Sequence, residues 1–202
     1  MSSNGRTIQI VGSGGREHAL AWAIAQSPHT GRLIAAPGNA GMISTATLFD
    51  VAADDLQGQL ELAKKENVDL VIVGPEDPLA AGLVDIFTDA GIRAFGPSAL
   101  AARLEGSKVF SKNFMREHAI PTSEYEVFTD PDEAIDYIQQ SDHLVVVKAS
   151  GLAAGKGVIV PKNNDEAIAA VEQIMRDRVF GDAGNEVVLE EFMAGEEASV
   201  LG

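Results

Sequence analysis

Four short runs of apolar, largely β-branched residues, each bounded by glycine or proline and set among helix-like stretches, restrict this chain's fold more than any other feature. The runs are "TIQIVG" (7–12), "RLIAA" (32–36), "VDLVIVG" (68–74) and "IRAFG" (92–96), and segments such as "EHALAWAIAQS" and "DLQGQLELAKKE" lie between them. A strand that is apolar without alternation is buried on both faces, and helical crossovers make its neighbours parallel. Residues 1–105 are therefore predicted to form a doubly wound α/β domain around a parallel sheet.

The second half has another rhythm. "SALAARLEGSKVFSKNFMREHAIPTSEYEVF" predicts a connector helix with Phe110, Phe114 and Met115 on one face, stopped by the proline of "IPTS". There follow a helix near 131–140, a strand over 144–149, a glycine loop, a strand over 157–160, a helix near 164–178 and a strand over 186–192, a small α+β pattern. A last strand, "EEASVLG", is expected to begin at Glu196. Its arrest at Gly202 with neither cap nor turn suggests a chain cut within a domain.

Composition narrows the chemistry. A formal charge of −15, from 30 Asp and Glu against 15 Lys and Arg, opposes binding to a phosphate backbone, so nucleic acid is not an expected partner. No apolar run approaches the roughly 18 residues of a membrane span, and the N-terminus has no signal pattern, so a cytoplasmic protein with no membrane partner is expected. The absence of cysteine removes thiolate catalysis and thiolate metal sites.

Three glycine-rich loops follow predicted strands. In "VGSGGREHA" the residues Gly12, Gly14 and Gly15 precede a helix, where backbone N–H groups hold anions. A dinucleotide fingerprint fails twice: Glu17 stands where the third glycine belongs, and "AAPGNAG" ends the second strand without a ribose-binding acid. A single phosphate or small anionic substrate at these glycines, with Arg16 beside it, fits better, while His18 reads as structural. Pro37, Gly38 and Asn39 in the second loop and Gly74, Pro75 and Glu76 in the third should line the same crevice at the strands' carboxyl ends. Glu76 and Asp77 either receive an amine or hydroxyls or complement a helix dipole.

"KASGLAAGKGVIVP" is not a P-loop, because the spacing is one residue short, Gly157 replaces the Ser or Thr, and a strand rather than a helix follows. It reads as a glycine flap between antiparallel strands, with Gly151, Gly155 and Gly157 able to close over phosphates and Lys148 and Lys156 supplying charge. In "VVLEEFMAGEEASV", Glu190, Glu191 and Met193 precede Glu196 and Glu197; an acidic edge strand is the common reading, a purine-binding hinge the other.

Taken together, Lys108 at a helix start, "IPT", Lys148 at a strand end, the flap and "EEF…GEE" resemble the ATP-grasp superfamily. With "GSGGREHA", "APGNAG", "GPEDPLAAG" and "FGPS" added, the chain is similar to the phosphoribosylamine–glycine ligase family over nearly its whole length. The resemblance implies ATP-dependent ligation of glycine to 5-phosphoribosylamine through glycyl phosphate, in purine biosynthesis, with ATP and Mg2+ as cofactors. It implies that Lys108, Lys148, Gly151, Gly155, Lys156 and Gly157 contact ATP phosphates, that Glu190, Glu191 and Met193 meet adenine, and that Glu197 meets ribose. Gly12, Gly14, Gly15, Arg16, Glu17, Pro37, Gly38, Asn39, Gly74, Pro75 and Glu76 would take phosphoribosylamine. It further divides the chain into a substrate domain (1–105), a connector (106–126), a lid (127–193) and the first strand of a truncated core (194–202). Magnesium ligands are expected beyond Gly202, which makes the chain inactive alone, and other purine-pathway domains are possible partners in a longer polypeptide. A different ATP-grasp carboxylate–amine ligase or carboxylase, and a non-catalytic interaction product, are the alternatives.

Overall fold

The computed structural model describes residues 5–151 and 157–200, and its contacts divide the chain into two compact units, Met1–Arg103 and Leu104–Gly202. The first unit runs β1 (Arg6–Gly12), α1 (Gly15–Ala25), β2 (Thr30–Pro37), β3 (Thr47–Leu48), α2 (Leu56–Lys65), β4 (Leu70–Val73), α3 (Glu76–Ala80), α4 (Leu83–Asp89) and β5 (Arg93–Phe95). Its sheet has the order β3-β2-β1-β4-β5 with every pairing parallel, the doubly wound arrangement expected from the unbroken apolar runs. Alternate residues feed two cores: Val11, Ile34, Val71 and Val73 pack with Leu60 and Phe87, while Ile8, Ile10, Leu33 and Ile72 pack with Ala21 and Met42. Gln9 breaks the apolar pattern, and its buried amide donates to the Gln59 side chain at 2.7 Å. The two-residue β3 was not foreseen; an edge strand that short leaves no periodicity to read.

α5 (Ala99–Gly106) crosses the division, and in place of one connector helix the chain starts again at α6 (Lys108–Glu117). Ser107 makes the break, accepting the Phe110 N–H at its Oγ as an N-cap. Beyond it come β6 (Tyr125–Phe128), α7 (Pro131–Gln140), β7 (Val145–Ala149), β8 (Val158–Ile159), α8 (Asn164–Val171) and β9 (Val187–Glu191). The sheet order is β6-β9-β7-β8, all antiparallel.

One face of this second sheet, Val145, Val147, Ala149, Val187 and Leu189, is covered by α7 and α8 in a core with Ile138, Ala167 and Ile174. Residues one step out of phase, among them Lys148 and Glu190, point the other way by the two-residue strand period.

β6 was not foreseen, being only four residues long with the charged Glu126 inside it. Two expectations are corrected in this unit. The helix expected to reach 178 leaves α-geometry after Val171 for a π turn over Glu172–Arg176. Among the described residues no strand forms over Glu196–Val200, and Val200 is 90% exposed. Among the described residues no helix is long and apolar enough to cross a membrane.

Candidate functional site

In the first unit the carboxyl ends of β1, β2 and β4 bring the three glycine loops together, as the parallel topology requires. The Gly38 N–H donates to Gly12 O at 3.1 Å, and Asn39 Nδ2 donates to Ser13 O at 2.8 Å. Arg16, on the first turn of α1, pairs with Glu76 of α3 at 3.3 Å. Pro75 lies against Gly12, whose φ of +118° is open to glycine, and a Cβ there would approach the Pro75 and Glu17 side chains to 2.8 Å.

Glu17 changes the meaning of the loop. Its side chain turns back beneath the helix start, is 3% exposed, and its Oε2 accepts the Gly14 N–H at 2.7 Å. A Cβ at Gly74 would collide with the same carboxylate. The glycines at 12, 14 and 74 thus make room for an internal carboxylate, and the Gly14 N–H is already occupied. An anion at this helix start would meet the N–H groups of Gly15 and Arg16, which have no intrahelical partner. His18 lies under Gly41, in keeping with a structural role.

In the second unit a separate, basic site is assembled. Lys108 begins α6, and its backbone N–H donates to Ser150 O at 2.9 Å, docking the helix start on the residue after β7; its Nζ reaches Gly151 O at 3.4 Å. Lys148 sits on β7, where its diagonal neighbour on the same face of β9 is Glu190, and the two side chains pair at 2.8 Å. Glu190 is 6% exposed and its second oxygen pairs with Lys112 of α6 at 2.9 Å. Ser123 Oγ donates to that same oxygen at 2.6 Å.

Sequence reasoning missed Lys112 altogether, since a lysine between Phe110 and Phe114 reads as a solvated position. Yet it is 6% exposed, with its ammonium on Thr122 Oγ1 and Ser123 Oγ, each at 2.7 Å, and on Glu190. All three donors are used, which is what permits a buried ammonium. The ring of Tyr125, opposite Glu190 on β6, lies 5.4 Å from it. The signal in the sequence was the pair Thr122 and Ser123 just after the helix, two hydroxyls able to receive it.

The electrostatics follow. Burial pushes the Glu190 carboxyl up, but hydrogen bonds from Lys148, Ser123 and Lys112 outweigh it and hold the pKa below its usual value. Burial first, and then the Lys148 charge, push Lys108 down. The nearby carboxylates of Glu105 and Glu190 offset this only in part.

The predicted nucleotide residues are thus only partly gathered. Lys108, Lys148, Gly151 and Glu190 come together, and the Gly157 carbonyl accepts the Ala149 N–H where β8 approaches β7. Gly155 and Lys156 lie outside the described residues. Glu190 does not present its carboxylate as an open hinge group, being enclosed between two lysines. The Glu191 N–H donates to Glu124 O, and Met193 and Glu197 are exposed. A cavity of 450 Å³, lined by residues including Arg116, Ile120, Thr122, Tyr125 and Tyr137, contains none of the predicted nucleotide contacts. Among the described residues no three His, Cys, Asp or Glu side chains are grouped to hold a metal.

Comparison with known proteins completes the assignment. The family model for the phosphoribosylglycinamide synthetase N domain matches residues 6–105, and that for its ATP-grasp (A) domain matches residues 106–202. The chain belongs to the phosphoribosylglycinamide synthetase family. It is 54% identical over 196 residues to the phosphoribosylamine–glycine ligase of Xanthomonas campestris pv. campestris, covering 96% of this chain and 46% of the relative. It is 51% identical over 198 residues to a bifunctional purine biosynthetic protein of Pichia angusta, of which it covers 25%. The crystal structure of phosphoribosylamine–glycine ligase from Thermotoga maritima superposes with a TM-score of 0.75 at 31% identity, covering 94% of this chain and 44% of that one. The chain therefore spans less than half the length of these family members, and the fold class is the α/β, ATP-grasp-containing one that the motifs implied.

Proposed function

We propose that this chain supplies the substrate domain and the ATP-binding lid of a phosphoribosylamine–glycine ligase. In that reaction ATP transfers its γ-phosphoryl group to a glycine carboxylate oxygen, releasing ADP. The amine of 5-phosphoribosylamine then attacks the glycyl carbonyl, expelling phosphate and leaving an amide. Such chemistry needs no protein nucleophile; it needs charge placed where the phosphoryl group moves and reactants held in line.

The observation that carries this reading is the convergence of Lys108 and Lys148 beside Gly151, where the glycine segment leaves β7, in a chain whose two halves match the two domains of one ligase family. Residues 127–193 are read as the lid, with Lys108 and Lys148 holding ATP phosphates. The loops around Arg16, Asn39 and Glu76 are read as the seat of phosphoribosylamine, whose phosphate would lie at the Gly15 and Arg16 N–H groups. Mg2+, when bound in an enzyme of this family, would screen the phosphates; among the described residues no three His, Cys, Asp or Glu side chains are grouped to hold it. The Pichia angusta relative gives a motive for reading further purine-pathway domains as partners in cis.

A chimera tests this reading. Residues 1–202 replace the matching segment of the Xanthomonas campestris ligase, and ADP formation is followed with glycine plus phosphoribosylamine and, separately, with bicarbonate. Glycine-dependent turnover that needs phosphoribosylamine is expected. A folded chimera that responds to bicarbonate and not to glycine would overturn the reading in favour of a carboxylase.

A further inference from the structure

We propose that Lys112 is a positioning residue for Lys148: by neutralising Glu190 from the protein side, it leaves Lys148 able to exchange its Glu190 contact for a ligand phosphate. This inference rests on the reading of Lys148 as a phosphate-binding lysine. The two oxygens of Glu190 are served by different lysines in different surroundings. Oε2 is sealed with Lys112 and Ser123, and both ion-pair side chains there are 8% exposed. Oε1 meets Lys148, whose side chain is 25% exposed and lies at the start of the glycine segment.

A buried carboxylate with one counter-ion holds it tightly, because separation would leave an uncompensated charge in a poorly solvated place. Were Lys148 the sole partner, it would be held in that internal pair. With Lys112 and Ser123 both directed at Oε2, Glu190 keeps its compensation when Lys148 departs. Lys112 itself cannot follow, since Thr122 and Ser123 fix its ammonium at 2.7 Å each. The division of labour is therefore between a fixed cation beneath the sheet and an exchangeable one at its rim.

The test is residue-resolved acetylation of Lys148 in the 202-residue chain without nucleotide, at one mildly alkaline pH, with exposed Lys64 and Lys65 as internal references. Lys112→Met is expected to slow Lys148 labelling about tenfold, the scale of one strengthened charged hydrogen bond. Lys112→Arg should stay within about twofold of the parent chain, and Lys112→Met combined with Glu190→Gln should restore or exceed the parent rate. Lys112→Gln, which keeps a donor for the two hydroxyls, carries the same expectation should the methionine variant not fold. A merely structural lysine predicts the opposite sign, since loosening the site would speed labelling of Lys148. Unchanged or faster labelling in the folded single variant, or equal slowing in the double variant, overturns the proposal. A separate arm with ATP added to the chimeric ligase tests the nucleotide reading alone: absence of Lys148 protection there counts against that reading, while the nucleotide-free comparison still decides the positioning.

Discussion

Replacing Glu190 by glutamine removes the one negative charge between Lys112 and Lys148 while keeping the side chain's shape and an acceptor oxygen. Removing one partner of a buried ion pair costs roughly 3–5 kcal/mol because the other charge is left uncompensated. Two features lower that figure here: Lys112 keeps its bonds to Thr122 and Ser123, and Lys148 is partly solvated. A loss of about 3 kcal/mol at neutral pH follows, or roughly 6–12 °C in Tm for a chain of this size. The pH dependence makes the prediction specific. Glu190 has a folded pKa below its unfolded value, so its contribution is complete above the unfolded value of about 4.3 and disappears as pH falls through the folded one. Urea unfolding of both proteins from neutral pH into acid should show a gap that closes in that window, where the parent chain becomes protonated like the variant. A gap under about 0.5 kcal/mol at neutral pH, or one that persists unchanged in acid, would refute the assignment of Glu190 as a buried, ionised hub.

Two further outcomes are expected. Gly74→Ala drives a Cβ into the Glu17 carboxylate and should lower the urea midpoint by an amount equivalent to about 2 kcal/mol, with clear relief in a Glu17→Ala background; equal losses in both backgrounds would show that Glu17 is not the obstacle. Lys108, pushed down by burial and by Lys148, regains charge stabilisation when phosphates bind, so ATP affinity should fall as pH rises through its lowered pKa, before the ordinary lysine value of about 10.4 is reached. Isothermal titration of the chimeric ligase with ATP across that range checks it, and a flat profile would remove Lys108 from the phosphate contacts.

What could be read in advance was what depends on local pattern. β1, β2 and β4 announce themselves because both faces are buried, and their topology alone gathers Gly12, Asn39 and Pro75 at one edge. Lys148 stood out because a lysine and glycines between two strands have few structural uses. What depends on distant partners stayed hidden. Glu17 could be seen as the wrong residue for a dinucleotide loop, but not as the carboxylate that fills it. Lys112 and Glu190 lie 78 positions apart (190 − 112), and only the pairing of β9 with β7 and β6 turns an acidic strand residue into a buried charge centre. The strand expected at Glu196 does not form among the described residues, and a strand is a property of its neighbours as much as of its own residues.

The central claim, that Lys148 holds nucleotide phosphates, is tested most directly by Lys148→Met in the chimeric ligase, with KM measured separately for ATP and for glycine. The account predicts an ATP KM raised at least about tenfold, the loss of one charge-assisted contact, with the glycine KM within about twofold of its starting value. An unchanged ATP KM in a folded, active variant would contradict it.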